Sequence, residues 1–138
     1  MSDDLRDREA IRELLAVYCF RLDGGQHQEM AALFTEDGIW ETAFGTGTGR
    51  AGIVAQLEKI AALAKGPRPR RAHLTTNIVI ELADGTASVM SNWTVIENSA
   101  QGPRISSGGA YHDRLVKRDG RWLFQHRRID RFVAEGLF

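Results

Sequence analysis

Cysteine is nearly absent: Cys19 is the only one in 138 residues. That excludes an internal disulfide and a cysteine-based metal site. Net charge is absent too, with 18 Lys and Arg against 18 Asp and Glu. Nucleic acid and acidic membranes both require a clear basic excess, so neither is expected as a partner. No apolar run approaches the roughly 20 residues that span a bilayer. The opening MSDDLRDREAIREL is too charged for a signal peptide, and a cytoplasmic protein is expected. HxxxH and HxH pairs are missing, which leaves no compact ligand set for a metal. A GxSxG elbow is missing as well, and Cys19 falls inside a helical pattern with no adjacent base in sequence. Nucleophilic catalysis is therefore unsupported.

The length suits one domain over residues 1–138, long enough to bury a substantial core. Ile11, Leu14, Leu15, Tyr18, Cys19 and Leu22 recur at helical spacing, with Ser2 as a cap and Asp3 and Asp4 at the positive end of the helix dipole. Gly24 and Gly25 end this helix near Asp23. QHQEMAALF (26–34) reads as a short second helix, TEDG as a turn, and IWETAF (39–44) as a strand. GTGTGR (45–50) opens a third helix, AGIVAQLEKIAALA. It is not a dinucleotide fingerprint, because Arg50 stands where the third glycine belongs.

From residue 71 the texture changes to long strands. HLTTNIVIEL and TASVMSNWTVIE flank the turn ADG, and RISSGGAYHDRLV and RWLFQHRRIDRF flank the turn KRDG. Gly108 and Gly109 fall inside a strand, where a bulge or sharp bend is expected. Helices followed by an antiparallel meander indicate an α+β domain, in which a bent sheet and three helices enclose a pocket. The basic segment PRPRR (67–71) reads as a solvated loop stiffened by Pro67 and Pro69.

His73 is the residue on which the function turns. In a regular strand His73, Thr75, Asn77, Val79 and Glu81 share one face, and Leu74, Thr76, Ile78, Ile80 and Leu82 the other. The first face is either turned to solvent or lines a partly polar cavity, and alternation does not separate the two. Asp23 is a carboxylate at a helix C-terminus, where the dipole favours cations. By default it is turn chemistry, and Tyr18 and Trp40 are core. His27 reads as exposed, and His112 and His126 lie in strands without an obvious partner.

Four stretches taken in order carry a resemblance: YCFRLDGGQHQEMAALFTEDGIW, GTGTGRAGI, RAHLTTNIVIE and GGAYHDRLVKRDGRWLFQHRRID. Together they resemble the SnoaL-like branch of the NTF2-like superfamily, in particular the group containing scytalone dehydratase and the hexachlorocyclohexane dehydrochlorinase. The resemblance implies a cone-shaped barrel made by a curved, mostly antiparallel sheet whose mouth is closed by helices. It implies a catalytic dyad of Asp23 and His73, with Tyr18, Trp40, Tyr111 and Arg127 around the substrate. It further implies a cofactor-independent lyase of the dehydratase or dehydrohalogenase type, working on a small, largely apolar ring compound. No cofactor and no metal are required by such chemistry.

An imidazole titrates near pH 6.5 and accepts a proton at neutral pH, and a carboxylate on its other nitrogen stabilises the imidazolium. Arg127 or Tyr18 would then stabilise an enolate or a departing hydroxide or halide. This chain also departs from the pattern. It has GGAY where the dehydratase has a second histidine, and Tyr18 where the dehydrochlorinase has a lysine, so neither substrate carries over. Two alternatives stand beside the lyase. One is a non-catalytic ligand-binding module, favoured if Asp23 and His73 lie too far apart to hydrogen-bond. The other is an isomerase or polyketide-cyclase-like enzyme using the same base. A homo-oligomer, dimer or trimer, is expected through the outer face of the sheet, with Trp93, Val95, Trp122 and Phe124 either supplying apolar surface there or forming core.

Overall fold

The computed structural model describes residues 3–133. In chain order the elements are α1 (Asp3–Asp23), α2 (His27–Ala31), β1 (Phe34–Thr42), β2 (Gly45–Thr48), α3 (Gly49–Ala61), β3 (Arg71–Ala83), β4 (Thr86–Ser99), β5 (Gly102–Arg118) and β6 (Arg121–Arg131). The strands form one open sheet in the order β2-β1-β6-β5-β4-β3. β1 and β6 run parallel, and every other neighbouring pair is antiparallel. Helix α1 lies along β3, and α3 covers β1 and β2. The α+β reading, three helices in the N-terminal half followed by the meander, holds.

Helix α1 buries Ile11, Leu14, Leu15, Tyr18 and Cys19 on one stripe. It ends where the glycines dictate: Gly24 N–H donates to Phe20 O at 2.9 Å, Gln26 N–H to Arg21 O at 2.9 Å, and Gly25 takes the left-handed φ of +68°. Asp23 is thereby the last helical residue, facing β3. The proposed cap Ser2 lies outside the described residues. Helix α2 is shorter than expected, because Phe34 already pairs with Phe124 of β6.

TEDG is not a free turn but an irregularity inside β1. The register passes from Phe34–Phe124 to Ile39–His126, and Thr35 Oγ1 donates to Asp37 Oδ1 at 2.9 Å across the excess residues. GTGT is likewise strand rather than helix entrance. A Cβ on Gly47 would stand 2.7 Å from Gly52 O and 2.8 Å from Ile53 Cα, so the glycine lets β2 lie flush on α3.

The two long hairpins form as the turns predict, and their bulges decide what faces inward. In β3 the pairing runs Thr76–Asn92 and then Val79–Met90, leaving one residue in excess, and Asn77 sits there at φ +56°. One extra residue exchanges the two faces of a strand. His73 and Thr75 therefore share the inner side with Ile78, Ile80 and Leu82, while Leu74 is 42% exposed and Val79 60%. The uniform alternation assumed from sequence is corrected at this point. Gly108 and Gly109 pair regularly with Thr94 and Trp93, and the expected bulge falls instead between Ser107 and Ile105. The reason for Gly109 is close approach: a Cβ would overlap Asp130 O and lie 2.8 Å from Trp93 Nε1. Trp93, Val95, Trp122 and Phe124 are all buried in the core, so none supplies outer surface.

Candidate functional site

The helices and the inner face of the sheet enclose a cavity of about 1070 Å³. Its wall includes Tyr18 and Asp23 from α1, Trp40 from β1, His73 from β3, Trp93 from β4 and Tyr111 from β5. Residues distant in sequence thus meet around one space, as the resemblance implies for five of them; Trp93 was not foreseen as part of the wall.

The contact between Asp23 and His73 bridges 50 positions of sequence. Asp23 Oδ1 stands 2.5 Å from His73 Nδ1, and Asp23 Oδ2 accepts the His73 backbone N–H at 2.8 Å. Both side chains keep a small exposure, 12% for His73 and 15% for Asp23. An ionised carboxylate only accepts, so in the neutral ring the proton sits on Nδ1 and the free lone pair on Nε2. The two hydrogen bonds offset the unfavourable position of a carboxylate at a helix C-terminus. Beside the dyad, Cys19 Sγ and Thr75 Oγ1 are 3.3 Å apart, and the ring of Trp93 lies 6.2 Å from that of His73, centroid to centroid.

Tyr18, Trp40 and Tyr111 make the innermost wall and are almost wholly shut from solvent. Trp40 Nε1 donates to Tyr18 Oη at 2.9 Å. Burial pushes the Tyr18 phenol up to about 12, against the opposing effects of Arg127 and the Trp40 hydrogen bond. Tyr111 is raised well above its ordinary value, again mainly by burial. Both phenols stay protonated across the physiological range.

Arg127 is placed differently from the substrate contact that the resemblance implies. It is fully buried, is not part of the cavity wall, and makes a bidentate pair with Asp113: Nε donates to Oδ1 at 2.8 Å and Nη2 to Oδ2 at 3.1 Å. Its guanidinium carbon lies 3.5 Å from the Tyr111 ring centroid, 4.2 Å from that of Tyr18 and 4.6 Å from that of Phe124. Burial opposes the charge of Arg127, yet Asp113 and the two tyrosines outweigh it and hold the guanidinium protonated. The Arg127 guanidinium thus packs on the Tyr18 and Tyr111 rings, its polar contacts already taken up with Asp113. Sequence reasoning missed Asp113, because counting back across the KRDG turn sets it opposite His126, and only the register shift between Arg114 and Leu115 brings it opposite Arg127.

The remaining histidines also differ from expectation. His27 is half-buried and borders the cavity. His112 Nε2 lies 3.0 Å from Asp130 Oδ2, and His126 Nε2 lies 3.3 Å from Glu41 Oε1, so both have carboxylate neighbours, away from the cavity. Among the described residues no group of three or more His, Cys, Asp or Glu could hold a metal ion, and no helix is long and apolar enough to cross a membrane.

A family model described as SnoaL-like domain matches residues 3–128. No curated protein matches the chain significantly. Solved structures do. An NTF2-like protein with a cystatin-like fold from Novosphingobium aromaticivorans is 25% identical, with a TM-score of 0.80, over 95% of this chain and 85% of that one. A putative scytalone dehydratase from the same organism is 29% identical, with a TM-score of 0.77, over 94% of this chain and 87% of that one. A protein from Catenulispora acidiphila, solved in complex with S-DNPA, is 25% identical, with a TM-score of 0.81, over 92% of this chain and 94% of that one.

Proposed function

The chain belongs to the SnoaL-like domain family, and from that membership and its dyad we propose that it is a cofactor-independent lyase of the dehydratase or dehydrohalogenase type. The observation that carries the reading is the 2.5 Å contact between Asp23 Oδ1 and His73 Nδ1 at the wall of the cavity. A separation too wide for a hydrogen bond would have favoured a mere ligand holder. The bidentate grip on ring and backbone is what a base needs for a fixed tautomer and direction.

In this mechanism His73 Nε2 removes a proton from a carbon next to an activating group, and Asp23 stabilises the imidazolium. The electron pair of that C–H bond forms the new double bond as the leaving group departs. Tyr18, protonated at neutral pH and accepting from Trp40, gives its proton to the departing hydroxide, which leaves as water, and the phenolate so formed takes back a proton from the His73 imidazolium, which restores both groups. A halide would leave as the anion. Trp40, Tyr111 and Trp93 supply the apolar walls for a small ring, and Arg127 holds the two tyrosines in place. That the Catenulispora protein was solved in complex with S-DNPA supports the reading that this chain binds a small molecule. The same reading carries a homo-oligomer, dimer or trimer, for which the exposed Leu74, Val79, Met90 and Ile105 are the apolar surface on hand.

The test is a panel of cyclic β-hydroxyketones and halogenated rings in deuterated water, followed by NMR. Wild-type protein should eliminate water or halide, or exchange the acidic hydrogen for deuterium, and His73→Ala should lose both. Equal rates in the two proteins would end the proposal. Exchange or double-bond migration without loss of a group would move the assignment to an isomerase with the same base.

A further inference from the structure

The chain carries no net charge, but its cavity does. Arg68, Arg70, Arg71, Arg104 and Arg131 border it, against the carboxylates of Asp23 and Glu97 alone. Both carboxylates are already engaged. Asp23 holds His73, and Glu97 Oε1 accepts from Arg104 Nη2 at 3.3 Å. Arg68, Arg70 and Arg71 make no ion pair among the described residues.

The arrangement is built by the sheet, not left to a loose loop. Arg71 pairs with Glu97, and Glu97 with Arg104, so three neighbouring strands set a single carboxylate between two guanidiniums. The basic segment before β3 is tied down by Asn98 N–H, which donates to Arg70 O at 2.9 Å. Arg71 lies two residues before His73, ahead of the bulge, and both are half-buried on the inner face. That spacing separates their strand positions by about 7 Å. Burial and the neighbouring Arg68 lower the Arg71 pKa, with Asp23 and Glu97 opposing, which marks a positive charge whose surroundings do not satisfy it. The aromatic residues of the wall are buried, whereas four of the five arginines are exposed.

We propose that the substrate is an organic oxyanion, a ring bearing a carboxylate or phosphate, whose charged group is held by Arg71 with the arginines at the opening while the ring lies on the inner aromatic wall. Resting on the lyase reading, this places the reacting carbon at His73 and the anionic group one strand pleat further out. A guanidinium meets either oxyanion with paired hydrogen bonds, and a cationic opening on a low-dielectric cavity draws anions in. PRPRR is then part of the binding site and not merely a solvated loop.

The experiment needs no turnover. Calorimetry compares 2-naphthoate and 2-naphthyl phosphate with the neutral isostere 2-naphthamide on the full chain at low and high salt. One added charge-assisted interaction predicts that at least one anion binds about tenfold tighter than the amide, with the advantage shrinking in salt. Arg71→Gln should remove about tenfold of that affinity and leave the amide unchanged. Exposed Arg68→Gln, which does not touch the core, should weaken the anion by a smaller factor and keep the fold. Comparing the carboxylate with the phosphate then names the oxyanion. Equal or tighter binding of the amide, or an anion preference untouched by both substitutions, overturns the proposal. The two readings fail separately: a neutral substrate turned over through His73 sinks only the oxyanion, and Arg71-dependent anion binding with no His73-dependent chemistry sinks only the lyase.

Discussion

Asp23 holds His73 at two points, its backbone N–H through Oδ2 at 2.8 Å and its ring Nδ1 through Oδ1 at 2.5 Å. The carboxylate therefore fixes where the strand begins as well as how the imidazole is turned. Asp23→Asn retains the shape but replaces one acceptor oxygen with a donor, so that backbone and ring compete for the remaining oxygen and the imidazolium loses its counter-charge. Turnover should fall about 10²- to 10⁴-fold, the range general-base catalysis supplies. The drop should appear in kcat, with ligand affinity by calorimetry retained. A variant with unchanged kcat would remove Asp23 from the mechanism.

The placement of His73 on the inner face depends on Asn77, the bulged residue at φ +56°. Asparagine tolerates this region, glycine occupies it freely, and a β-branched residue is strained there. Asn77→Gly should stay near wild type, whereas Asn77→Val should lose about 1–3 kcal/mol in urea denaturation, with an unchanged slope. Deleting Asn77 is the stricter variant. A regular strand would turn His73 outward and Leu74 inward, so activity should vanish even if the domain still folds.

That bulge also explains what the sequence could and could not tell. Helix α1, its glycine stop and both hairpin turns are local signals, written within a few residues each, and they were legible. The contact between Asp23 and His73 was legible only as a family order, because the two are joined by tertiary packing across 50 positions. Strict alternation set Leu74 and Ile80 on one face; a single positive-φ asparagine between them puts Leu74 outside and Ile80 inside. Asn77 was visible, but nothing near it in sequence distinguishes a bulge from an ordinary strand residue. The glycines misled in the same way: Gly47 and Gly109 answer to backbones packed from elsewhere, not to their own neighbours in the chain. Arg127 was located correctly on its strand, but the Asp113 opposite, which pairs with it and is buried with it, was not read from the sequence.

The chain's two tyrosines are both buried, which makes them a clean spectroscopic probe. The Tyr18 pKa rises from 10.0 to about 12, so the folded state keeps a proton that the unfolded chain releases. Where the folded pKa is the higher one, stability is fully present below the unfolded value and declines as pH climbs toward the folded value. Native protein should therefore show little phenolate absorbance near pH 10, with Tyr18 ionising only as pH approaches about 12, and its stability should fall over that window. Tyr111, shifted in the same direction, adds to the effect. Tyr18→Phe should flatten the decline, at the expense of the acceptor for Trp40 Nε1. Ordinary phenol titration near pH 10 in folded protein would contradict the burial of both rings.

Asp113 and Arg127 are each fully buried at the side chain and paired through two hydrogen bonds. Removing one partner leaves the other charge without compensation, so Arg127→Met or Asp113→Leu alone should cost about 3–5 kcal/mol. The double variant Asp113→Leu, Arg127→Met removes both charges and should recover most of that loss, because apolar side chains of similar size fill the space. Arg127→Lys keeps the charge without the planar fork and should fall between the two. Urea denaturation gives the four stabilities, and the coupling between the two positions follows from the cycle. Turnover measured on the stable double variant separates support from substrate contact. A group that only holds Tyr18 and Tyr111 leaves the dyad able to work, so activity should drop modestly. A loss as deep as that of His73→Ala would instead return Arg127 to direct contact with the substrate.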